Sequence, residues 1–198
     1  MKLRPARPDD ADAIARLHAA AVTEGFLPTL GPGFLRLLHR RIVLSRHSFA
    51  IVSEDDSGLT GVVATSVNVR SLYREFLVRD GVRASVAALP RLLRATRRVL
   101  ETLRYPKRHT ELPPAEVLVV AVAATKRGTG IGSSLLERAL EELDARGAHS
   151  ARVVTTASNV ASLALYRSRG FRPVSAIEVH RGTESVVLVR PHTSTVSR

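Results

Sequence analysis

The chain has no cysteine and no tryptophan, one methionine, and only three tyrosines and five phenylalanines in 198 residues. Without cysteine there can be no disulfide, no thiolate nucleophile and no cysteine metal site, and secretion has no positive support. No apolar run approaches the ~20 residues needed to span a bilayer. The basic opening, Met1 to Pro8, is not followed by the apolar segment of a signal peptide. These absences lead us to expect a soluble, cytoplasmic protein. The seven histidines are scattered and lack metal-ligand spacing, so no metal is expected. Acids are scarce as well: 18 Asp and Glu face 30 Lys and Arg, a net charge of +12 that favours an acidic partner.

The length suits one α/β domain over 1–190 with a polar tail, 191–198, expected to be disordered. Leu3 to Ala6 reads as an edge strand limited by Pro5 and Pro8, and Asp9 or Asp10 as the cap of a helix burying Ala13, Ile14 and Leu17. Thr23 to Gly33 is a polar glycine-proline loop, and Phe34 to Leu44 resumes helical spacing. Phe49 to Ser53 and Thr60 to Asn68 form a hairpin through the acidic turn Glu54 to Gly58. Ser71 to Tyr105 is helical, with Pro90 placed in the first turn of Arg91 to Arg104, where its missing N–H costs nothing. Ala151 to Thr156 is a strand, Asn159 caps the helix after it, and 171–179 and 185–190 make a closing hairpin.

The centre of the chain is Val117 to Leu136. Val117 to Ala123 has the composition of a strand buried on both faces; Arg127 to Gly132 turn the chain; Ser133 to Arg146 has helical periodicity. Glycines at the start of a helix let backbone N–H groups and the helix dipole approach an anion, so a phosphate fits this turn. Spacing restricts which phosphate. A dinucleotide fingerprint would need glycine where Ser133 stands, and a P-loop would need a terminal Gly-Lys-Ser/Thr, which is absent. What is present is R-x-x-G-x-G, on Arg127, Gly130 and Gly132. Farther on, Asn159 to Phe171 reads N-x-x-S-x-x-L-Y-x-x-x-G-F.

The first of these motifs resembles the acetyl-CoA pyrophosphate loop of the GNAT superfamily of N-acetyltransferases, and the second resembles that family's other signature, the helix after the fifth strand. The opening R-P-A-R-P-D-D-A-D-A-I-A-R-L is similar to the usual start of such a domain. The resemblance implies a mixed, mostly antiparallel sheet of six to seven strands flanked by helices, with a helical insertion (71–105) between the third and fourth strands. It also implies direct transfer of an acetyl group from acetyl-CoA to a primary amine. On this reading the cofactor arm pairs with the backbone of Val120, Ala121 and Val122. Its pyrophosphate sits on Arg127, Gly128, Thr129, Gly130, Ile131, Gly132 and Ser133, and Asn159 and Ser162 add contacts. Tyr166 matches the residue that protonates the leaving thiolate, and Glu116 falls where many members carry the general base, ahead of His109, Glu111 and Glu178. Glu24, Phe26 and Leu27 lie in the region that helps to form the acceptor site. Ala123, Ala124 and Thr125 depart from the Asp-Pro-Glu type of turn that usually precedes the loop, so this turn must be built differently.

The acceptor is open at this stage, a small molecule or amino sugar being favoured over a protein, and so is the choice between monomer and homodimer. Arg91, Arg94 and Arg98 belong to an amphipathic basic helix that serves as a lid attracting an anionic substrate, as a contact with an anionic membrane surface, or as a solvated face. Only Tyr73 and Tyr105 interleave with these arginines, at the ends, so nucleic acid is not expected. The rival readings are a catalytically silent CoA-binding module and a nucleic-acid or membrane-surface protein using helix 91–104.

Overall fold

The computed structural model describes the backbone at residues 1–22, 27–104, 112–180 and 183–191, and the side chains of these except at 27–28, 87–104, 176–180 and 183–184. Seven strands are present: β1 (Lys2–Pro5), β2 (Ser48–Asp55), β3 (Gly58–Ser66), β4 (Glu116–Val122), β5 (Ala151–Thr156), β6 (Arg172–His180) and β7 (Thr183–Arg190). They form one sheet in the order β1-β2-β3-β4-β5-β7-β6. Every neighbouring pair is antiparallel except β4 and β5. The helices are α1 (Ala11–Ala21), α2 (Pro32–Leu44), α3 (Val69–Arg104), α4 (Ile131–Ala145) and α5 (Val160–Ser168).

Strand periodicity splits the core between the two faces of the sheet. Val52, Val62, Ala64, Val119 and Ala121 face α1, α2 and α3 through Ile14, Leu38, Ile42, Leu72 and Phe76. Ile51, Val63, Val117, Val153 and Leu188 face α4 through Leu135, Leu136, Ala139 and Leu143, with Tyr166 and Phe171 in the same cluster. Because both faces are covered, the central strands are nearly continuous apolar runs. The start of α4 seats closely on β3. A Cβ at Gly61 would lie 2.8 Å from Leu135 and 2.9 Å from Ile131, so glycine there lets the helix settle onto the sheet.

Two expectations need correction. Asp10 precedes α1 but does not cap it. Its carboxylate instead accepts from the Arg7 N–H at 2.7 Å and from the Arg4 guanidinium at 2.7 and 3.0 Å, tying β1 to the helix entry. Pro90 is not in a first turn either: α3 runs unbroken for 36 residues from Val69 to Arg104, so the proline sits inside a helix and forfeits one backbone hydrogen bond.

Buried polar groups fasten α1, α2 and α3 to one another. Arg41 donates to Asp80 at 2.6 Å, and both are nearly inaccessible. Glu75 accepts from Ser45 at 2.6 Å and from Arg41 at 3.4 Å. Between α1 and α2, His18 Nδ1 and His39 Nε2 are 2.9 Å apart. Burial pushes the two imidazoles down to about 4 and about 3, so both are neutral. His39 Nδ1 is buried without a partner. A bare acceptor is cheaper to strand than an N–H, so the tautomer with His39 Nε2–H donating to His18 Nδ1 is favoured.

Candidate active site

β4 and β5 are joined only at their beginnings, by Glu116 opposite Arg152 and Val117 opposite Val153. Past that point β4 stays on β3 as far as Val122 and β5 stays on β7 as far as Thr156, but the two no longer meet. A bulge in β4 accompanies the parting. The register on β3 shifts between Thr65 opposite Val117 and Ala64 opposite Val119, and Leu118 and Val119 both pack toward α1, α2 and α3. From Val119 onward, β4 therefore presents an unpaired backbone edge to the opening. Half-buried Val120, Val122, Val154 and Thr155 lie on its two walls.

The loop after β4 is fixed by its neighbours rather than by its own side chains. Ala123 N–H donates to Thr60 O at 2.9 Å, and Ala124–Lys126 form a single 3-10 turn, which is how the chain manages without an Asp-Pro-Glu turn. Lys126 Nζ lies 2.7 Å from Asp55 at the end of β2, and this contact holds the Asp55 carboxyl well below the usual carboxylate range. Thr129 Oγ1 donates to Lys126 O at 2.7 Å. Gly128 (φ 77°) and Gly130 (φ 86°) take the left-handed conformation that leads into α4. Among the described residues no backbone carbonyl accepts from the N–H groups of Gly130, Ile131, Gly132 or Ser133. Four donors thus stand open at the positive end of a 15-residue helix.

Gly132 carries a different message. It is helical, and a Cβ there would make only ordinary contact: 3.7 Å to Val122, 3.8 Å to Leu165 and 3.9 Å to Val120. Nothing among the described residues requires glycine at this position. What its small size preserves is space at the point where the β4 wall, α5 and the open N–H groups converge, which is the space a phosphate or pantetheine group would need. Arg127 is exposed, and its guanidinium donates to the Ala21 carbonyl at 3.3 Å and, at 3.5 Å, to that of Val122. It thereby ties the loop to the C-terminal end of α1.

On the far wall, Asn159 caps α5, with Oδ1 accepting from Ser162 N–H at 3.0 Å, which leaves its amide nitrogen available. Tyr166 packs edge-on against Phe171, ring centres 5.6 Å apart, within the α4-side core. Burial pushes its phenol up, so the proton is held across the whole working range of pH. Among the described residues the hydroxyl has no hydrogen-bond partner, and it is not one of the fully buried, unpartnered polar atoms. At the base of the opening, Arg152 Nε donates to Glu116 Oε2 at 2.7 Å, while Oε1 has no partner among the described residues. Burial raises the Glu116 carboxyl against the downward pull of Arg152.

The residues read from the sequence as a cofactor site thus fall on elements that adjoin one opening: Glu116 and Val120 to Val122 on β4, Arg127 to Ser133 in the loop and the first turn of α4, and Asn159, Ser162 and Tyr166 in α5 and its cap, which meets the loop where Leu165 approaches Gly132. Glu24, Phe26, His109 and Glu111 lie outside the described residues, as do the side chains of Leu27, Arg91, Arg94, Arg98 and Glu178. Among the described residues no group of His, Asp and Glu could hold a metal. Sequence reading missed Asp55, Thr60 and Arg152, which position the loop and Glu116. The signal for Arg152 was a charge placed between the apolar Ala151 and Val153 in a short strand.

Comparison with known proteins agrees with this geometry. Residues 92–171 match the model of the Acetyltransferase (GNAT) family. Sixty residues are 47% identical to the acetyl transferase GW6a of Oryza sativa subsp. japonica, a stretch covering 30% of this chain and 14% of that protein. The aligned part is thus about a seventh of that relative's length. Among solved structures, ribosomal-protein-alanine N-acetyltransferase from Brucella melitensis superposes with a TM-score of 0.64 at 21% identity, covering 96% of this chain and 98% of that one. The protein yncA from Salmonella typhimurium, solved with its cofactor acetyl-CoA, superposes with a TM-score of 0.63 at 19% identity, covering 100% and 97%. These likenesses establish a shared fold.

Proposed function

We propose that this protein transfers an acetyl group from acetyl-CoA directly to a primary amine: residues 92–171 match the model of the GNAT family of acetyltransferases, and the chain has the GNAT fold. The observation that carries the reading is the parted β4–β5 pair ending on open helix N–H groups at Gly130 to Ser133. When bound there, acetyl-CoA supplies the activated acyl group. The chain's own residues do the rest. The unpaired edge at Val120 to Val122 aligns an extended amide-bearing arm, and the N–H groups of Gly130 to Ser133 bind the diphosphate. Asn159 offers its free amide to the arm, with Ser162 beside it on α5.

Tyr166 serves the departing thiolate. Its raised phenol keeps a proton that it donates as a hydrogen bond to sulfur, stabilising the charge as it develops. Glu116 is the proposed base: Arg152 fixes Oε2, and the free Oε1 takes the amine proton directly or through water. Its upward shift suits that task, because a base poised nearer neutrality transfers protons more effectively.

A small amine acceptor is favoured over a protein segment. From its packing against α2, α3 extends to contact β6, beyond β5 and β7 in the sheet, which supports reading it as a cover that narrows the acceptor's approach. Cytoplasmic residence accords with the absence, among described residues, of any helix long and apolar enough to cross a membrane. The test is calorimetric titration with acetyl-CoA and with NAD, followed by thiol release across a panel of amino sugars, polyamines and peptides. Acetyl-CoA binding without NAD binding is expected. Failure to bind acetyl-CoA would remove the basis for the proposal.

A further inference from the structure

Helix α3 has two long faces of opposite use. Leu72, Phe76 and Ala84 enter the core, and Asp80 on the same side is held by Arg41. On the other side nine residues between 70 and 86 are exposed: Leu77, Val78, Val82, Val86, four arginines (Arg70, Arg74, Arg79, Arg83) and Ser85, with no acid among them. Val78, Val82 and Val86 recur at helical spacing and are 79%, 81% and 68% exposed. Leu44, at the end of α2, shares with Val78 a groove of about 810 Å³ whose walls include Arg46, His47, Arg74 and Arg79. Five of the eight exposed large apolar side chains among the described residues lie here, so the patch is a concentration and not a scatter. The one acid on the groove, Glu75, is occupied by Ser45 at 2.6 Å, Arg41 at 3.4 Å and Arg79 at 3.6 Å.

We propose that this face, the outer side of α3 from Arg70 to Val86 together with Leu44 and Arg46, lies on an anionic lipid bilayer. Charge complementarity selects the occupant. A second copy of the chain would bring the same arginine rows against each other. A nucleic acid would use the arginines but leave the valine stripe in water, and no exposed aromatic side chain stands in the stripe for bases to stack on. An anionic membrane satisfies both: valines enter the boundary of the acyl chains while flanking arginines meet lipid phosphates. The contact is peripheral, since no described helix is apolar enough to cross a bilayer. It is independent of the acetyl-transfer reading, because none of these residues lines the opening between β4 and β5.

The full chain should be sedimented with large vesicles of phosphatidylcholine alone and with about 30% phosphatidylglycerol. At least tenfold stronger partition onto the anionic vesicles is expected, declining as salt is raised. Replacing Val78, Val82 and Val86 together by serine should lower that partition at least tenfold. Arg74→Gln with Arg83→Gln should lower it about 25-fold, at roughly fivefold per basic residue. All these side chains are exposed, and circular dichroism will verify that the variants keep the fold. The chain has no tryptophan, so Val82→Trp provides a sole reporter whose emission should shift to the blue on anionic vesicles. Absence of partition at low salt, wild-type partition by the valine variant, or an unshifted reporter would overturn the proposal. So would a concentration-dependent dimer, or RNA binding, that is lost in these variants while vesicles are ignored.

Discussion

Lowering the pH from about 8 to about 5.5 should cost this protein about 3 kcal/mol of stability through His18 and His39 alone. In the unfolded chain each imidazole titrates near ~6.5. In the fold, burial holds them at about 4 and about 3. Between those limits the unfolded state binds more protons, so stability is complete above ~6.5 and falls as the pH falls. At pH 5.5 each unfolded histidine has gained about 1.4 kcal/mol by protonation, from RT ln(1 + 10). The folded pair has gained almost nothing, and the sum is insensitive to the exact folded values because both lie more than one unit below 5.5. Against a typical ~5–15 kcal/mol for a domain, the loss is substantial. Urea unfolding followed by circular dichroism at the two pH values, on wild type and on His18→Leu with His39→Leu, isolates the effect from other titrating groups. A difference in pH dependence between the two proteins below about 1 kcal/mol would refute the reasoning.

The other predictions concern the site and its supports. Gly132→Ala should leave the urea midpoint unchanged or raise it, since alanine suits a helix better by up to ~1 kcal/mol, while calorimetry shows weaker binding of CoA; equal affinity would mean that no ligand approaches there. Gly130→Ala, at φ 86°, should destabilise by about 1–2 kcal/mol and weaken CoA binding as well, both readable in one thermal-shift series. Tyr166→Phe should lower kcat by roughly 10² or more with little change in acetyl-CoA affinity, and unchanged turnover would exclude Tyr166 from the mechanism. Asp80→Ala leaves Arg41 buried with only the longer contact to Glu75 and should cost about 3 kcal/mol in urea unfolding without altering CoA binding.

Much of this was legible in the sequence because period and punctuation agree with the fold. Val117 to Ala123 reads as a doubly buried strand since both faces of β4 are covered, and β5 falls on Ala151–Thr156 as read. The loop was legible because glycine spacing reports backbone conformation directly, as Gly128 and Gly130 confirm. What escaped were pairings between distant positions. Nothing local announces that His18 and His39 share a hydrogen bond across 21 residues, or that Lys126 reaches Asp55. Asp10 was misread for a related reason: a cap is inferred from neighbours in sequence, whereas its carboxylate was drawn off by Arg4 on the adjacent strand. Pro90 was misjudged because the pattern rule weighs one lost backbone bond more heavily than a 36-residue helix does.

An open sheet ordinarily has two edges to defend against stray chains. This one has four, since the rims of β4 and β5 face each other across the opening in its middle. The outer edges carry their own deterrents: β1 is four residues long and ends in Pro5, and β6 contains Pro173 and breaks register twice along β7. The inner rims carry no proline, and past its bulge the rim of β4 is apolar from Val119 to Val122. Their natural deterrent would be occupancy, so an extended molecule filling the slot, as proposed for acetyl-CoA, would also act as a stopper against strand invasion. Preparations made without it should aggregate sooner on gentle warming, and a short valine-rich peptide should compete for the same place.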